Sequence, residues 1–296
     1  MRPRVLEIIE TIPRKLYVEP FGGSAAILLG KEPENSVYND LNGLLVNFFR
    51  VIRSPQDREK LREIARYTPA NYDYWHDFKN VCKAFQSHDE NKLKAALEVA
   101  NLTDYPVEVA VAFALFYCQS LAFGGSVLHS YGEHCKPRSG NDHANRVALF
   151  DDYADRLVYT VITNRDFRDC FAKHDDPQTL FYCDPPYHDT EDYYQNIGEK
   201  GFTEEDHVRL RDTLMKIQGK FLLSYNDDAF VRGLYDCPDL FVVETTRLNT
   251  IKQRYDPSSQ FPELIISNYD PYERSRLQPV QMTLFNYFKE DDPYEI

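Results

Sequence analysis

The run Asp184-Pro185-Pro186-Tyr187 comes directly after the apolar stretch at residues 180–183, and its residue types suit the activation of a planar amine. The exocyclic amino nitrogen of a nucleic-acid base is a poor nucleophile, because its lone pair is delocalised into the ring. A carboxylate (Asp184) and a backbone carbonyl (Pro185) can accept hydrogen bonds from the two amino hydrogens and draw the nitrogen toward a tetrahedral geometry. Consecutive prolines fix φ and keep that carbonyl pointed one way. Tyr187 offers an aromatic face on which an extruded base can stack. The plainer alternative is a strand-ending Pro-Pro turn with Asp184 as a cap.

Two further clusters carry chemistry. Tyr17-Val18-Glu19-Pro20-Phe21-Gly22-Gly23-Ser24 reads as a strand running into a glycine turn. Gly22 and Gly23 let the backbone come close to a ligand, although the turn matches neither a Walker loop nor Gly-x-Gly-x-x-Gly. Asp40 ends the next strand about 20 residues on, where a carboxylate binds ribose hydroxyls in nucleotide-type α/β sites. It would equally serve as an N-cap before Leu41, and both roles can hold. The third cluster, Asn164-Arg165-Asp166-Phe167, follows a strand ending at Ile162. Here Asp166 can accept from an adenine amino group while Phe167 covers the ring, or Asp166 is an ordinary helix cap. His129 and His134 have no further ligand at a credible spacing, so no metal site is expected.

These clusters need a scaffold that brings strand ends together. Apolar spacing predicts a helix over 4–12, strands at 15–19 and 37–39, a helix starting at 25–29 and another over 41–52. That is a β-α-β-α opening with turns at the carboxyl ends of the strands, where open α/β sheets bind ligands. Helical segments then dominate (56–67, 71–85, 91–100, 108–122), followed by an irregular stretch at 123–146. Strand patterns return at 156–162, 180–183, 221–225, 240–244 and 263–267. The prediction is an α/β catalytic domain formed by residues 1–52 and 156–296, with a mainly helical domain, 53–155, inserted into it.

Hydrophobic residues make up 43% of the 296, enough for a well-buried core. The formal net charge of -13 runs against a nucleic-acid ligand, which calls for a basic footprint. Positive charge is gathered at His129, His134, Lys136, Arg138, His143 and Arg146, beside only Glu133 and Asp142. Contact with phosphates therefore has to be local, and salt-sensitive. The six cysteines include no Cys-x-x-Cys pair and read as reduced thiols of a cytoplasmic protein. The N-terminus has no apolar signal region. Residues 107–125 are apolar, but Glu108, Gln119, Ser120 and the missing basic flanks make a buried helix the expectation over a membrane span.

Together and in this order, the three clusters resemble those of the DNA adenine methylase (Dam-like) family, the alpha group of amino-methyltransferases, over residues 4–52 and 156–270. The family's cofactor loop, Glu-Pro-Phe followed by small residues, matches Glu19-Pro20-Phe21-Gly22-Gly23-Ser24, and its ribose-binding acid matches Asp40. Its Asp-Phe pair near the cofactor adenine matches Asp166 and Phe167. Its catalytic tetrapeptide matches Asp184, Pro185, Pro186 and Tyr187 without substitution. Ser224-Tyr225-Asn226-Asp227 and the closing strand pattern at 263–269 also look like the family's.

The resemblance implies a Rossmann-like sheet of seven strands, one of them antiparallel, carrying an inserted target-recognition domain. It implies S-adenosyl-L-methionine as cofactor, double-stranded DNA as partner, a cognate restriction endonuclease as a candidate partner, and a cytoplasmic, bacterial or phage-encoded enzyme. The cofactor's sulfonium is itself reactive, so neither a metal nor a covalent intermediate is called for, and the protein's task is in-line positioning. One departure stands out. Family members carry a Trp-x-Gly-Gly-Lys-like segment ahead of the first helix, which helps close the cofactor pocket, whereas this sequence opens inside that helix. A start upstream of Met1, an enzyme that works without the segment, and one that binds cofactor weakly are the three readings.

Residues 123–146 combine glycines, hydrogen-bonding side chains and most of the local positive charge. Arg and Lys read guanine bidentately and Asn reads adenine, which makes Lys136, Arg138, Asn141 and Arg146 the candidate DNA contacts. The bland reading is a solvated surface loop. Tyr72, Tyr74 and Trp75 read as helix packing. Asp before Pro-Pro-Tyr points to a DNA amino group, where Asn would lean toward protein glutamine. Cytosine-N4 transfer and a DNA-binding relative without catalysis are the alternatives; cofactor affinity distinguishes the second of these.

Overall fold

The computed structural model describes residues 2–121, 141–188, 201–248 and 260–273. Its centre is a seven-stranded sheet of β1 (Leu16–Glu19), β2 (Ser36–Asn39), β3 (Thr160–Thr163), β4 (Thr179–Cys183), β5 (Lys220–Asn226), β6 (Phe241–Leu248) and β7 (Gln260–Ser267). The strand order is β3-β2-β1-β4-β5-β7-β6. The first five of these run parallel, and β7 is antiparallel to both β5 and β6. One reversed strand among seven is what the resemblance implied.

Central strands such as β4, Thr-Leu-Phe-Tyr-Cys, are buried along their whole length because helices cover both faces. Successive side chains alternate between those faces. Tyr17, Tyr38, Leu180, Tyr182, Leu222 and Ile265 enter one apolar core. Val18, Val37, Phe181, Cys183, Phe221, Leu223, Leu264 and Ile266 enter the other. On the first face lie α1 (Arg2–Thr11), α2 (Gly43–Arg53), α3 (Pro55–Tyr67), α4 (Tyr72–Gln86), α5 (Glu90–Val99), α6 (Val107–Leu121) and α7 (Asn141–Arg156). The second face carries α8 (Phe167–His174), α9 (Glu204–Leu214) and α10 (Ala229–Leu234).

The helices drawn from 53–155 share one continuous core with α2 and the sheet, running through Phe49, Leu61, Trp75, Phe113 and Phe150. Residues 109–118 of α6 are buried on every side, so this apolar helix is the axle of the helical layer. A side chain such as that of Phe113, fully removed from water, contributes roughly 1.5–3 kcal/mol. No helix among the described residues is long and apolar enough to cross a membrane.

Two local expectations fail. Residues 25–29 do not start an α-helix; only a 3₁₀ turn forms at Leu28–Gly30, and Ala25 sits at φ 55. The chain must return to pair beside β1 by Asn35, whose carbonyl accepts from the Tyr17 N–H, and Pro33 breaks any longer helix. The second miss is α7, which begins inside the stretch read as irregular and takes up Arg156, read as strand. Its apolar stripe, Val147, Phe150 and Leu157 beyond its end, is thin and set among acidic residues, so little periodic signal reached the sequence.

Candidate active site at the carboxyl edge of the sheet

From β1 the chain moves outward to β2 and β3, then returns to place β4 on the other side of β1. The strand order therefore reverses between β1 and β4. In open α/β sheets the crevice beyond the carboxyl ends at such a point is where ligands bind. All three sequence clusters and Asp40 leave the carboxyl ends of these four adjacent strands.

The glycine turn after β1 is held from the β2 side. The Gly22 N–H donates to the Asn39 carbonyl (2.7 Å) and the Gly23 N–H to Asp40 Oδ2 (2.7 Å). The Tyr38 hydroxyl donates to the Gly23 carbonyl (2.8 Å). Glycine at 22 is required by packing, since a Cβ there would run into Cε2 of the Tyr38 ring and lie 2.5 Å from its Cδ2. At 23 the requirement is conformational, with φ +49. Ser24 is exposed and Phe21 half-buried.

Asp40 is half-buried and does not cap α2; Asn42 does, accepting from the Leu44 N–H. The Oδ1 of Asp40 accepts from the Asn42 N–H (2.7 Å), so its carboxylate links the glycine turn to the start of α2. Burial pushes this carboxyl above the usual range, and the N–H groups of Asn42 and Gly23 pull it back only in part. The fully buried Asn39, which sequence reasoning passed over, binds three strand ends at once. Its Nδ2 donates to the carbonyls of Pro20 (2.9 Å) and Arg165 (3.0 Å), and its Oδ1 accepts from Thr163 Oγ1 (2.8 Å). The clue was an amide at the end of an apolar strand, next to an acid.

Asp166 caps α8, its Oδ1 accepting from the N–H (2.9 Å) and Nε (2.8 Å) of Arg168. Burial raises its carboxyl, but the bonds from Arg168 outweigh this and hold it below the usual range. The Phe167 ring lies 5.3 Å from that of Phe21, and both pack on Phe202, at 6.0 and 5.8 Å. Phe202, far along the chain, carried no signal in the sequence.

After β4, Asp184 is exposed while Pro185 and Pro186 are buried. Tyr187 is half-buried; its hydroxyl donates to Glu263 Oε1 (3.2 Å) and its ring lies 6.1 Å from that of Tyr225. Behind the crevice, Glu19 is only 2% exposed and accepts from the Tyr17 hydroxyl (2.7 Å). Burial pushes its carboxyl up to about 8, with the charge of Asp184 adding to the rise. The buried Lys31 ammonium lies 4.5 Å above the Tyr17 ring and 2.9 Å from Glu34 Oε1. Among the described residues no cluster of His, Cys, Asp and Glu could hold a metal. Lys136 and Arg138 lie outside the described residues; Asn141 opens α7, and Arg146 is exposed on it.

Residues 3–249, which include all four of these strand ends, match the D12 class N6 adenine-specific DNA methyltransferases. The chain belongs to this family. It is a DNA adenine methyltransferase. The chain is 23% identical over 260 residues to the Type II methyltransferase M1.LlaDCHI of Lactococcus lactis subsp. cremoris, covering 86% of each. It is 24% identical over 277 residues to a DNA adenine methylase of Haemophilus influenzae, covering 88% of this chain and 87% of the relative. A DNA adenine methylase of Vibrio cholerae is 22% identical over 259 residues, covering 81% of this methyltransferase and 84% of the relative.

Proposed function

We propose that this DNA adenine methyltransferase binds S-adenosyl-L-methionine in the crevice between β1 and β4 and acts there on an adenine turned out of the duplex. The observation that carries the reading is the convergence of four strand ends, with their acids, glycines and aromatic rings, on one topological switch point.

The residues fit the cofactor. An ionised carboxylate has about four lone-pair sites; two of those on Asp40 are taken by the Gly23 and Asn42 N–H groups, which leaves room for ribose hydroxyls. The Phe21 and Phe167 rings supply an aromatic surface for the cofactor's adenine, beside Asp166. The turn Glu19-Pro20-Phe21-Gly22-Gly23-Ser24 presents bare backbone at its glycines to the donor. When bound, the cofactor supplies an electrophilic methyl group carried on a sulfonium.

The chain's own work falls to Asp184, Pro185, Pro186 and Tyr187. The Asp184 carboxylate and Pro185 carbonyl accept the two amino hydrogens of the target base, and Asp184 can receive the proton its nitrogen gives up. The two buried prolines keep that carbonyl from turning away. Tyr187 lies under the base. We assign target recognition to the helical segment 53–155, with Lys136, Arg138, Asn141 and Arg146 on DNA. The Type II name of the Lactococcus relative supports a setting in restriction and modification; we assign a cognate endonuclease as partner and a cytoplasmic, bacterial or phage-encoded enzyme.

The test is methyl transfer from labelled S-adenosyl-L-methionine to unmethylated mixed-sequence DNA, followed by identification of the labelled nucleoside. Labelled N6-methyladenine is expected, and it should vanish in Asp184→Ala while cofactor binding persists. Full transfer by Asp184→Ala would overturn the assignment of the site.

A further inference from the structure

Glu263 is 1% exposed in the antiparallel strand β7, on the far side of β5 from the tetrapeptide. Across the ladder it stands directly opposite Asn226, the last residue of β5. Residues directly opposite in an antiparallel pair project from the same face of the sheet. Each of this pair reaches the segment that follows β4. Glu263 Oε1 accepts from the Tyr187 hydroxyl (3.2 Å), and Asn226 Nδ2 donates to the carbonyl of His188 (3.1 Å). Asn226 is steadied in turn by Asp228 Oδ2 (2.7 Å). The Tyr187 ring also rests near Tyr225, whose hydroxyl is bonded to Nδ1 of the buried His207.

We propose that the cross-strand pair Asn226 and Glu263 is a clamp that fixes the position of the Tyr187 ring, making Glu263 a positioning residue for the base stacked on Tyr187. This rests on the assignment of Tyr187 to the target base. A tyrosine ring tethered only at Cβ rotates about two side-chain bonds. Fixing the hydroxyl stops the ring from swinging about its first side-chain bond, the in-plane preference of a phenolic O–H and the neighbouring Tyr225 ring bias its plane, and the hold on the following carbonyl removes the drift of the backbone. A preset stacking surface spares the ordering cost when the base arrives, and so acts on the step that needs the base seated.

The experiment compares Glu263→Leu, Glu263→Gln, Tyr187→Phe, Tyr187→Ala and the double variant Glu263→Leu/Tyr187→Phe. Single-turnover methyl transfer is measured at saturating cofactor, together with cofactor Kd and thermal melting. Glu263→Leu and Tyr187→Phe are each expected to slow transfer about tenfold, the scale of one buried hydrogen bond, with cofactor Kd unchanged. The double variant should be no slower than either single variant, because both remove the same bond. Glu263→Gln keeps an acceptor and should restore most of the rate. Multiplicative losses in the double variant, or a Gln variant as slow as Leu, would overturn the clamp. So would slowing by Glu263→Leu that disappears once activity is normalised to folded protein. Tyr187→Ala separates the two readings: an unchanged rate there would refute the base-stacking role itself, whereas a large loss beside multiplicative singles would refute the clamp alone.

Discussion

Replacing Gly22 by Ala tests the crevice most directly, because the cost traces to a single ring. The new Cβ would run into Tyr38 Cε2, and would lie 2.5 Å from Cδ2 and 2.8 Å from Cζ. Tyr38 has nowhere to go. It is fully buried, packs edge-on against Phe49 at 4.9 Å, and donates its hydroxyl to the Gly23 carbonyl at 2.8 Å. Relief therefore means that the turn itself moves by roughly 1 Å, to restore an ordinary carbon–carbon separation. Overpacking of this kind costs about 1–3 kcal/mol, and loss of the Tyr38–Gly23 bond adds about 1 kcal/mol. With the cofactor placed as proposed, the same shift displaces the backbone that faces it. Affinity for S-adenosyl-L-methionine should fall by at least about tenfold, which corresponds to about 1.4 kcal/mol. Gly23→Ala is the control for melting: no protein atom lies within 4 Å of its Cβ, so its loss of stability is the left-handed backbone penalty, about 1–2 kcal/mol. Calorimetric titration of cofactor, with thermal melting on the same samples, reads both effects. A Gly22→Ala protein with wild-type melting and cofactor affinity would refute the packing argument and the placement of the cofactor together.

Three other perturbations have defined outcomes. Asp184→Ala should lower single-turnover transfer by at least about a hundredfold, the scale of losing one preorganised catalytic group, with cofactor titration unchanged. Glu19 gives a pH dependence: its folded carboxyl titrates at about 8, against an ordinary value of 4.5. Stability should therefore be greatest below the unfolded value and decline as pH rises toward 8, by on the order of a few kcal/mol. Glu19→Gln should flatten that decline in urea melts between about pH 5 and about pH 9, and an equal slope in both proteins would remove Glu19 as its cause. Lys136→Ala with Arg138→Ala should weaken DNA binding and make log Kd less steep in log salt, by roughly one for each phosphate no longer neutralised. Unchanged affinity at low salt would take these two residues out of the interface.

The family of this enzyme was legible because its marks are written in short, contiguous runs. A tetrapeptide, a glycine turn and a single acid each follow an apolar strand, and the strand pattern alone sends their side chains to one edge of a sheet. What the sequence determined was therefore which residues leave the carboxyl ends of β1 to β4, and that an α/β sheet carries them. It did not determine how those residues are held. Asn39 ties three strand ends through bonds to Pro20, Arg165 and Thr163, and Glu263 reaches Tyr187 from a strand 76 positions further along. Phe202 closes the ring cluster on Phe21 and Phe167. Such contacts have no local period, because they depend on which strands become neighbours and in what register. Short-range forces set the elements; long-range packing decided that Asp40 would brace the glycine turn, leaving Asn42 to cap α2, and that burial would keep Glu19 protonated near neutral pH. Solvent exclusion by the assembled core is the physical reason, and it exists only once the chain has folded.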